Sequence, residues 1–217
     1  MPLAARRVLG AVMAVLGIAL AVLGAWTALK LGPSGELRLS ATATATGAIV
    51  VEPKLLNSLD IPVRVTATRS DGGAVWLAAA PAADARAVLA KSAVSTVSDV
   101  DYPAGTMDLR VSPGRDLRDI SRADVWRLTG EGTGSADLVI DQGSGPETAV
   151  VTSGDATPLT NVTTTLTWVE RSWFFEALVA SVLGAIIAAI SLIDLFRGRD
   201  AARRTDAVRT TRSGART

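Results

Sequence analysis

From Leu37 to Ala45 the chain sets an apolar side chain at every odd position and a polar one at every even position, within the stretch LRLSATATATGAIVV at 37–51. A period of two marks a strand with one face buried and the other wet. Drawn out as one strand, 37–51 would reach about 50 Å, far beyond the usual 17–20 Å, so a break is expected, and Gly47 is the place for it. The alternation returns from Pro62 to Arg69, with Val63, Val65 and Ala67 on one face and Arg64, Thr66 and Thr68 on the other. Ser-Asp-Gly-Gly at 70–73 tolerates positive φ, which predicts a tight hairpin into an apolar strand over Ala74–Ala80.

Pro81 suits a first helical turn and Asp84 complements its dipole, so a short helix is predicted over Ala82–Lys91, packing through Ala85, Val88 and Leu89. Ala93–Val100 is β-branched and extended. Residues 101–122, with Pro103, Gly105, Pro113 and Gly114, form the longest irregular part. Further strands are predicted at Asp124–Thr129 and Ser135–Asp141, joined by the Gly-Glu-Gly-Thr-Gly loop at 130–134, then at Glu147–Thr152 and Leu159–Val169. In the last of these Val162, Thr164, Leu166 and Trp168 share one face.

Two stretches lack alternation. Val8–Leu29 runs 22 residues without a charge, about 33 Å as a helix, and Ala177–Ile193 another 17, about 26 Å, lengthened at its start by Trp173, Phe174 and Phe175. Transmembrane helices are therefore predicted over 8–29 and 173–196, bracketing a domain at 30–172. Arg6 and Arg7 ahead of the first run also fit a secretory signal, but the run is long and Leu23 stands at the critical spacing before Ala25, so a retained anchor is expected. Arg6 and Arg7 precede the first span, and Arg197, Arg199, Arg203, Arg204, Arg209, Arg212 and Arg216 follow the second. The positive-inside rule then places 1–7 and 197–217 in the cytoplasm and 30–172 outside, in a two-pass cell-membrane protein. The tail is expected to lack regular structure, with Arg197, Arg199, Arg203 and Arg204 against lipid headgroups. Packed spans bring their ends within about 8–10 Å. The first and last strands are accordingly expected to lie antiparallel and adjacent.

Small residues recur along both apolar runs at a heptad period. They are Gly10, Ala14, Gly17, Ala21, Gly24 and Ala28 in the first, and Ala177, Ser181, Gly184, Ala188 and Ser191 in the second. In lipid such seams let backbones approach, so the two helices are expected to pack on each other, with homodimerisation as the alternative. Ala11, Ala19, Ala25 and Ala189 fall off the seams. Glu176 and Asp194 are placed at the two membrane interfaces.

Residues 30–172 carry 13 Lys and Arg against 17 Asp and Glu, a net charge of −4, which is no nucleic-acid surface. Cysteine and histidine are both absent, so the domain must hold by packing without disulfides. Their absence also removes Ser-His-Asp triads, cysteine nucleophiles, and His-ligated zinc and haem. Lys30, Lys54 and Lys91 lie in no nucleophile motif. Asp99 and Asp101 are the weak candidates for a calcium site or an acid/base pair, against a turn-forming role. Arg115, Asp116, Arg118, Asp119, Arg122 and Asp124 read as a solvated, ion-paired surface. No catalytic residue and no cofactor is expected. The partners implied are the lipid bilayer and an envelope component or membrane protein.

Arg outnumbers Lys 19 to 3 and Ala is abundant, as in a GC-rich genome. The segments VRVTATRSDGGAVWLAAAPAADARAVLAKSAV, GTGSADLVI and TLTWVERSWFFEAL make residues 8–196 resemble actinobacterial membrane proteins in which two helices bracket an extracytoplasmic β-rich domain. The resemblance implies topology and carries over no functional position. The expected fold is mainly β, an antiparallel β-sandwich-like extracytoplasmic domain with one short helix, flanked by two transmembrane helices. A non-catalytic binding, sensing or accessory module is the expected role. The alternatives are a carboxylate-dependent or calcium-assisted hydrolase, or a structural subunit of a membrane complex.

Overall fold

The computed structural model describes the backbone of residues 3–115, 118–141, 143 and 145–214, and side chains within 8–44, 47–115, 118–141, 143 and 145–197. The chain divides into two units, a β unit at Glu36–Glu170 and a helical unit made of the segments on either side of it.

The β unit contains ten strands among the described residues, hydrogen-bonded into one sheet. They are β1 (Glu36–Thr46), β2 (Ala48–Val51), β3 (Val63–Arg69), β4 (Ala74–Pro81), β5 (Val94–Asp101), β6 (Thr106–Ser112), β7 (Leu128–Thr133), β8 (Ser135–Ile140), β9 (Glu147–Thr152) and β10 (Leu159–Val169). Their order is β7-β4-β9-β2-β5-β6-β1-β10-β3-β8. The chain breaks at Gly47, and the β5–β6 hairpin inserts between β1 and β2. β1 and β10 pair antiparallel from Glu36 opposite Val169 to Thr46 opposite Leu159, so the first and last strands are neighbours, as expected. Leu39, Ala41 and Ala43 are buried, while Arg38 and Thr42 on the other face are exposed.

Three expectations are corrected. Ser70–Gly73 does turn the chain, but β3 pairs with β10 and β8, whereas β4 pairs with β7 and β9, so no hairpin ladder joins β3 to β4. The Gly-rich 130–134 segment is not a loop: Gly130 to Thr133 belong to β7, and the turn is Gly134, at φ 76°. Glycine is required here because a methyl at Gly130 would lie 2.5 Å from the Asp137 carbonyl oxygen, and one at Gly132 would collide with that of Ser135. The end strands β7 and β8 thereby meet and nearly close the sheet. Within the expected irregular stretch, Thr106–Ser112 forms β6, paired antiparallel with β5. The ten strands form one nearly closed sheet, and two separate sheets are not seen among the described residues. The sheet is also mixed, since β2 runs parallel to β5 and Ser40 of β1 bridges Thr106 of β6 in parallel.

β4 reads as a continuous apolar run, and both it and β9 are covered on their two faces. Leu77, Ala79, Ala149 and Val151 are buried on one face. On the other, Trp76, Ala78, Ala80 and Val150 form a cluster with Ala85 and Leu89 of helix α3 (Ala82–Leu89) and with Ile120. Trp126 closes this cluster edge-on to Trp76, with ring centroids 5.4 Å apart, and its indole N–H donates to the Ile120 carbonyl at 2.7 Å. A second short helix, α2 (Pro53–Leu56), follows β2 and was not expected.

The helical unit pairs α1 (Leu3–Leu31) with α4 (Arg171–Gly214). Both contain stretches long and apolar enough to cross a bilayer, Val8–Leu31 and Arg171–Arg197. The backbone of α4 continues to Gly214, so the expected irregular tail is helical as far as it is described. The structure brings the small residues of the two seams onto the mutual face. Ala14, Gly17, Gly24 and Ala28 are buried, as are Ala177, Gly184 and Ala188, whereas Gly10, Ala21, Ser181 and Ser191 are half-buried. Ala11, Ala19, Ala25 and Ala189 are exposed. A methyl at Gly17 would lie 2.6 Å from the Ala188 amide nitrogen. Ser181 donates its hydroxyl to the Ala21 carbonyl at 3.0 Å.

Candidate functional site

Where β2 leaves the sheet, Pro53 starts α2, and Pro81 likewise ends β4 and opens α3. Because α3 seats Ala85 and Leu89 on the sheet, the residues between them are held over the parallel β2–β5 pair. A cleft of about 400 Å³ opens there. Its apolar lining includes Val50, Val94 and Leu89, its hydroxyls come from Thr96 and Thr148, and its charges are Glu52, Lys54, Arg86 and Lys91.

A second cleft, of about 520 Å³, adjoins the first, since Ala90, Lys91 and Ser92 line both. Its charges are Lys91, Arg115 and Arg118, over Val88 and Ile120.

The residues between the clefts are fixed through the backbone. α3 ends at Leu89, and Lys91 takes a left-handed conformation at φ 71°, uncommon for a side chain of this size. The Arg115 amide donates to the Lys91 carbonyl at 2.7 Å, and the Arg115 carbonyl accepts from the Ala93 amide at 2.9 Å. Gly114 permits this approach, because a methyl there would collide with the Ser92 backbone. The carbonyl end of α3 favours positive charge nearby, which helps it hold Arg86 and Lys91.

Apart from Arg110 on β6, which is exposed and lines neither cleft, the cations of the β unit divide into two groups. Among the described residues Arg38, Arg64, Arg69, Arg122 and Arg127 pair with Glu36, Asp137, Asp71, Asp119 and Glu147. Lys54, Arg86, Lys91, Arg115 and Arg118, all exposed and all lining the clefts, enter no ion pair with a described residue.

Asp99 and Asp101 lie apart from these clefts, on β5, where Asp99 accepts the Val100 amide at 2.8 Å and Asp101 that of Ala104 at 2.9 Å. That is turn chemistry. Among the described residues no group of three or more acidic side chains is placed to hold a metal ion. The most elaborate ionic cluster, at the turn after β3, is structural. Asp71 accepts from Arg69 at 2.7 and 2.9 Å, from the Gly73 amide at 3.0 Å and from Thr160 at 3.2 Å. The Arg69 hydrogen bonds in particular hold the Asp71 carboxyl well below the usual carboxylate range. In the helical unit Arg197 is exposed, while the side chains of Arg199, Arg203 and Arg204 lie outside the described residues.

Sequence reasoning considered Lys54 and Lys91 only as catalytic bases, and took Arg115 and Arg118 for members of an ion-paired surface. Of that surface Asp119 and Arg122 do pair, at 3.8 Å, and Asp116 lies outside the described residues. Arg86 went unremarked. No linear signal joins five cations spread from 54 to 118.

No family model and no curated protein matches the chain. Among solved structures it has a 9% identical, TM-score 0.26 likeness to hydroquinone 1,2-dioxygenase from Sphingomonas sp. TTNP3, over 62% of this chain and 59% of that one. A likeness to the D1–D2–D3 domains of the flagellar cap protein FliD from Escherichia coli has a TM-score of 0.22 at 12% identity, over 89% of this chain and 72% of the other. The chain thus spans about three-fifths of the dioxygenase's length, and at these scores neither likeness defines a fold or an activity.

Proposed function

We propose that this chain is a two-span membrane protein, both termini cytoplasmic, that presents its β unit outside the membrane as a non-catalytic binding module. The observation that carries the binding role is the pair of adjoining clefts beside α3, lined by cations without described ionic partners. The lack of histidine and cysteine favours binding over chemistry. Membrane insertion is supported by the inside-out helical unit. Leu16, Val22, Leu23, Val182, Leu183 and Ile190 are exposed while glycines and alanines fill the contact. In water that pattern wastes about 25 cal/mol for every Å² of apolar surface left wet, whereas in lipid it is the matched surface. The carboxylate-dependent hydrolase draws no comparable support, since Asp99 and Asp101 serve their own hairpin.

Because the chain lacks cysteine, single cysteines report its topology directly. A membrane-impermeant maleimide applied to intact cells should label Ser58→Cys and leave Ser213→Cys unlabelled until lysis. Labelling of the tail in intact cells would contradict the proposal. For the module role, mild-detergent purification should retain a ligand or partner that Lys91→Gln loses.

A further inference from the structure

We infer that the two clefts form one site for a polyanion, a ligand carrying more than one phosphate or carboxylate group. The inference rests on the reading of the β unit as a binding module and names its ligand class. Charge supplies the first argument. In a segment of net charge −4, five cations gather on one face, and among the described residues the only acid lining either cleft is Glu52. Five of the six other arginines of the β unit pair with acids, Arg110 being the exception among the described residues, so cations without described partners gather mainly at the clefts.

Size supplies the second argument. Clefts of about 400 and 520 Å³ far exceed a single phosphate, and Lys91 lines both, so a ligand reaching from one to the other meets Arg86 and Lys54 on one side and Arg115 and Arg118 on the other. Guanidinium forks suit phosphate and carboxylate oxygens, and Thr96 and Thr148 add neutral hydroxyls of the kind that hydrogen-bond a polyol. Preorganisation supplies the third. The Arg115 backbone is hydrogen-bonded to Lys91 and Ala93, so two of the cations keep their spacing without a ligand, lowering the ordering cost of binding.

The test uses the full chain in detergent micelles at low ionic strength, titrated by calorimetry with tripolyphosphate and with trigalacturonate, each against its single-charge unit, orthophosphate or galacturonate. At least one trimer should bind tighter than its unit by about tenfold or more, and Lys91→Gln and Arg115→Gln should each lower that affinity about tenfold. Arg64→Gln, a cation paired with Asp137 away from the clefts, should leave it unchanged. Tightening confined to tripolyphosphate assigns phosphate as the recognised group, and tightening confined to trigalacturonate assigns carboxylate. If neither trimer binds better than its unit, or if Arg64→Gln costs as much as Lys91→Gln, the polyanion site is refuted. In that event a partner still retained on purification would leave the module reading standing, and loss of both would remove both.

Discussion

Gly24 of α1 lies against Ser181 of α4 so closely that a methyl on the glycine would sit 2.6 Å from the Ser181 amide nitrogen. Reciprocally, Gly184 of α4 has no room for a methyl beside the Ala21 amide. Contact at this range gives α1 and α4 extensive van der Waals attraction, the force that would hold the pair together were its surroundings lipid.

Gly24→Leu should therefore separate the helices, costing about 1–3 kcal/mol. Ser181→Ala, which loses one hydrogen bond to the Ala21 carbonyl, should cost only about 0.6 kcal/mol. Disulfide formation between cysteines placed at Ala14 and Ala188 reads the pairing. Retained cross-linking in Gly24→Leu, or equal loss in the exposed control Ala25→Leu, would contradict the packing described.

Closure of the sheet depends on the absence of a side chain at Gly132, which faces the Ser135 carbonyl. Gly132→Val has high strand propensity and should nonetheless destabilise the β unit, by about 1–3 kcal/mol of overpacking strain. Urea denaturation followed by tryptophan fluorescence measures it. A stabilised variant would mean that β7 and β8 do not approach.

Acid sensitivity should originate at the turn after β3. The carboxyl of Asp71 is held low first by its hydrogen bonds from Arg69, and that of Asp155 is lowered to about 2, first by its hydrogen bond from Thr157. A depressed carboxylate contributes stability that is complete above its unfolded pKa, near 4, and is lost as pH falls toward the folded value. Denaturation midpoints should thus decline below about pH 4, and Asp71→Asn should flatten that decline while lowering stability at neutral pH. An unchanged slope in the variant would exclude Asp71 as its source.

Stability and binding should separate at Lys91. A left-handed non-glycine residue costs about 1–2 kcal/mol, and glycine loses about 0.5–1 kcal/mol in chain entropy, so Lys91→Gly should be as stable as the parent or up to about 1.5 kcal/mol more stable. The same variant should lose polyanion binding. Gly114→Ala, by contrast, should reduce both, because its methyl meets the Ser92 backbone that the Arg115 clamp requires. Parallel thermal melts and titrations distinguish the two patterns.

The two ends of the β unit were legible in the chain. The alternation marked Leu39, Ala41 and Ala43 for burial, Gly47 marked the break, and β3, β9 and β10 fall where period and turn residues place them. The adjacency of β1 and β10 also followed, from two apolar runs flanking the β-rich stretch. Glycines misled at 130–134, because a strand that must let another backbone come close uses the same residue as a loop does.

Periodicity is a local property, and where it was strong, as at Leu37–Ala45, Val63–Arg69 and Leu159–Val169, it settled by itself that the segment extends. Partner choice is not local. That β3 abandons β4 for β10 and β8, and that the β5–β6 hairpin divides β1 from β2, depends on which arrangement buries all the apolar faces at once. The cleft has the same origin: Lys54, Arg86, Lys91, Arg115 and Arg118 become neighbours only once α3 is seated and Gly114 lets Arg115 close on Lys91. Solvent-facing charges carry no pattern that could announce this beforehand, because nothing in their own segments constrains them.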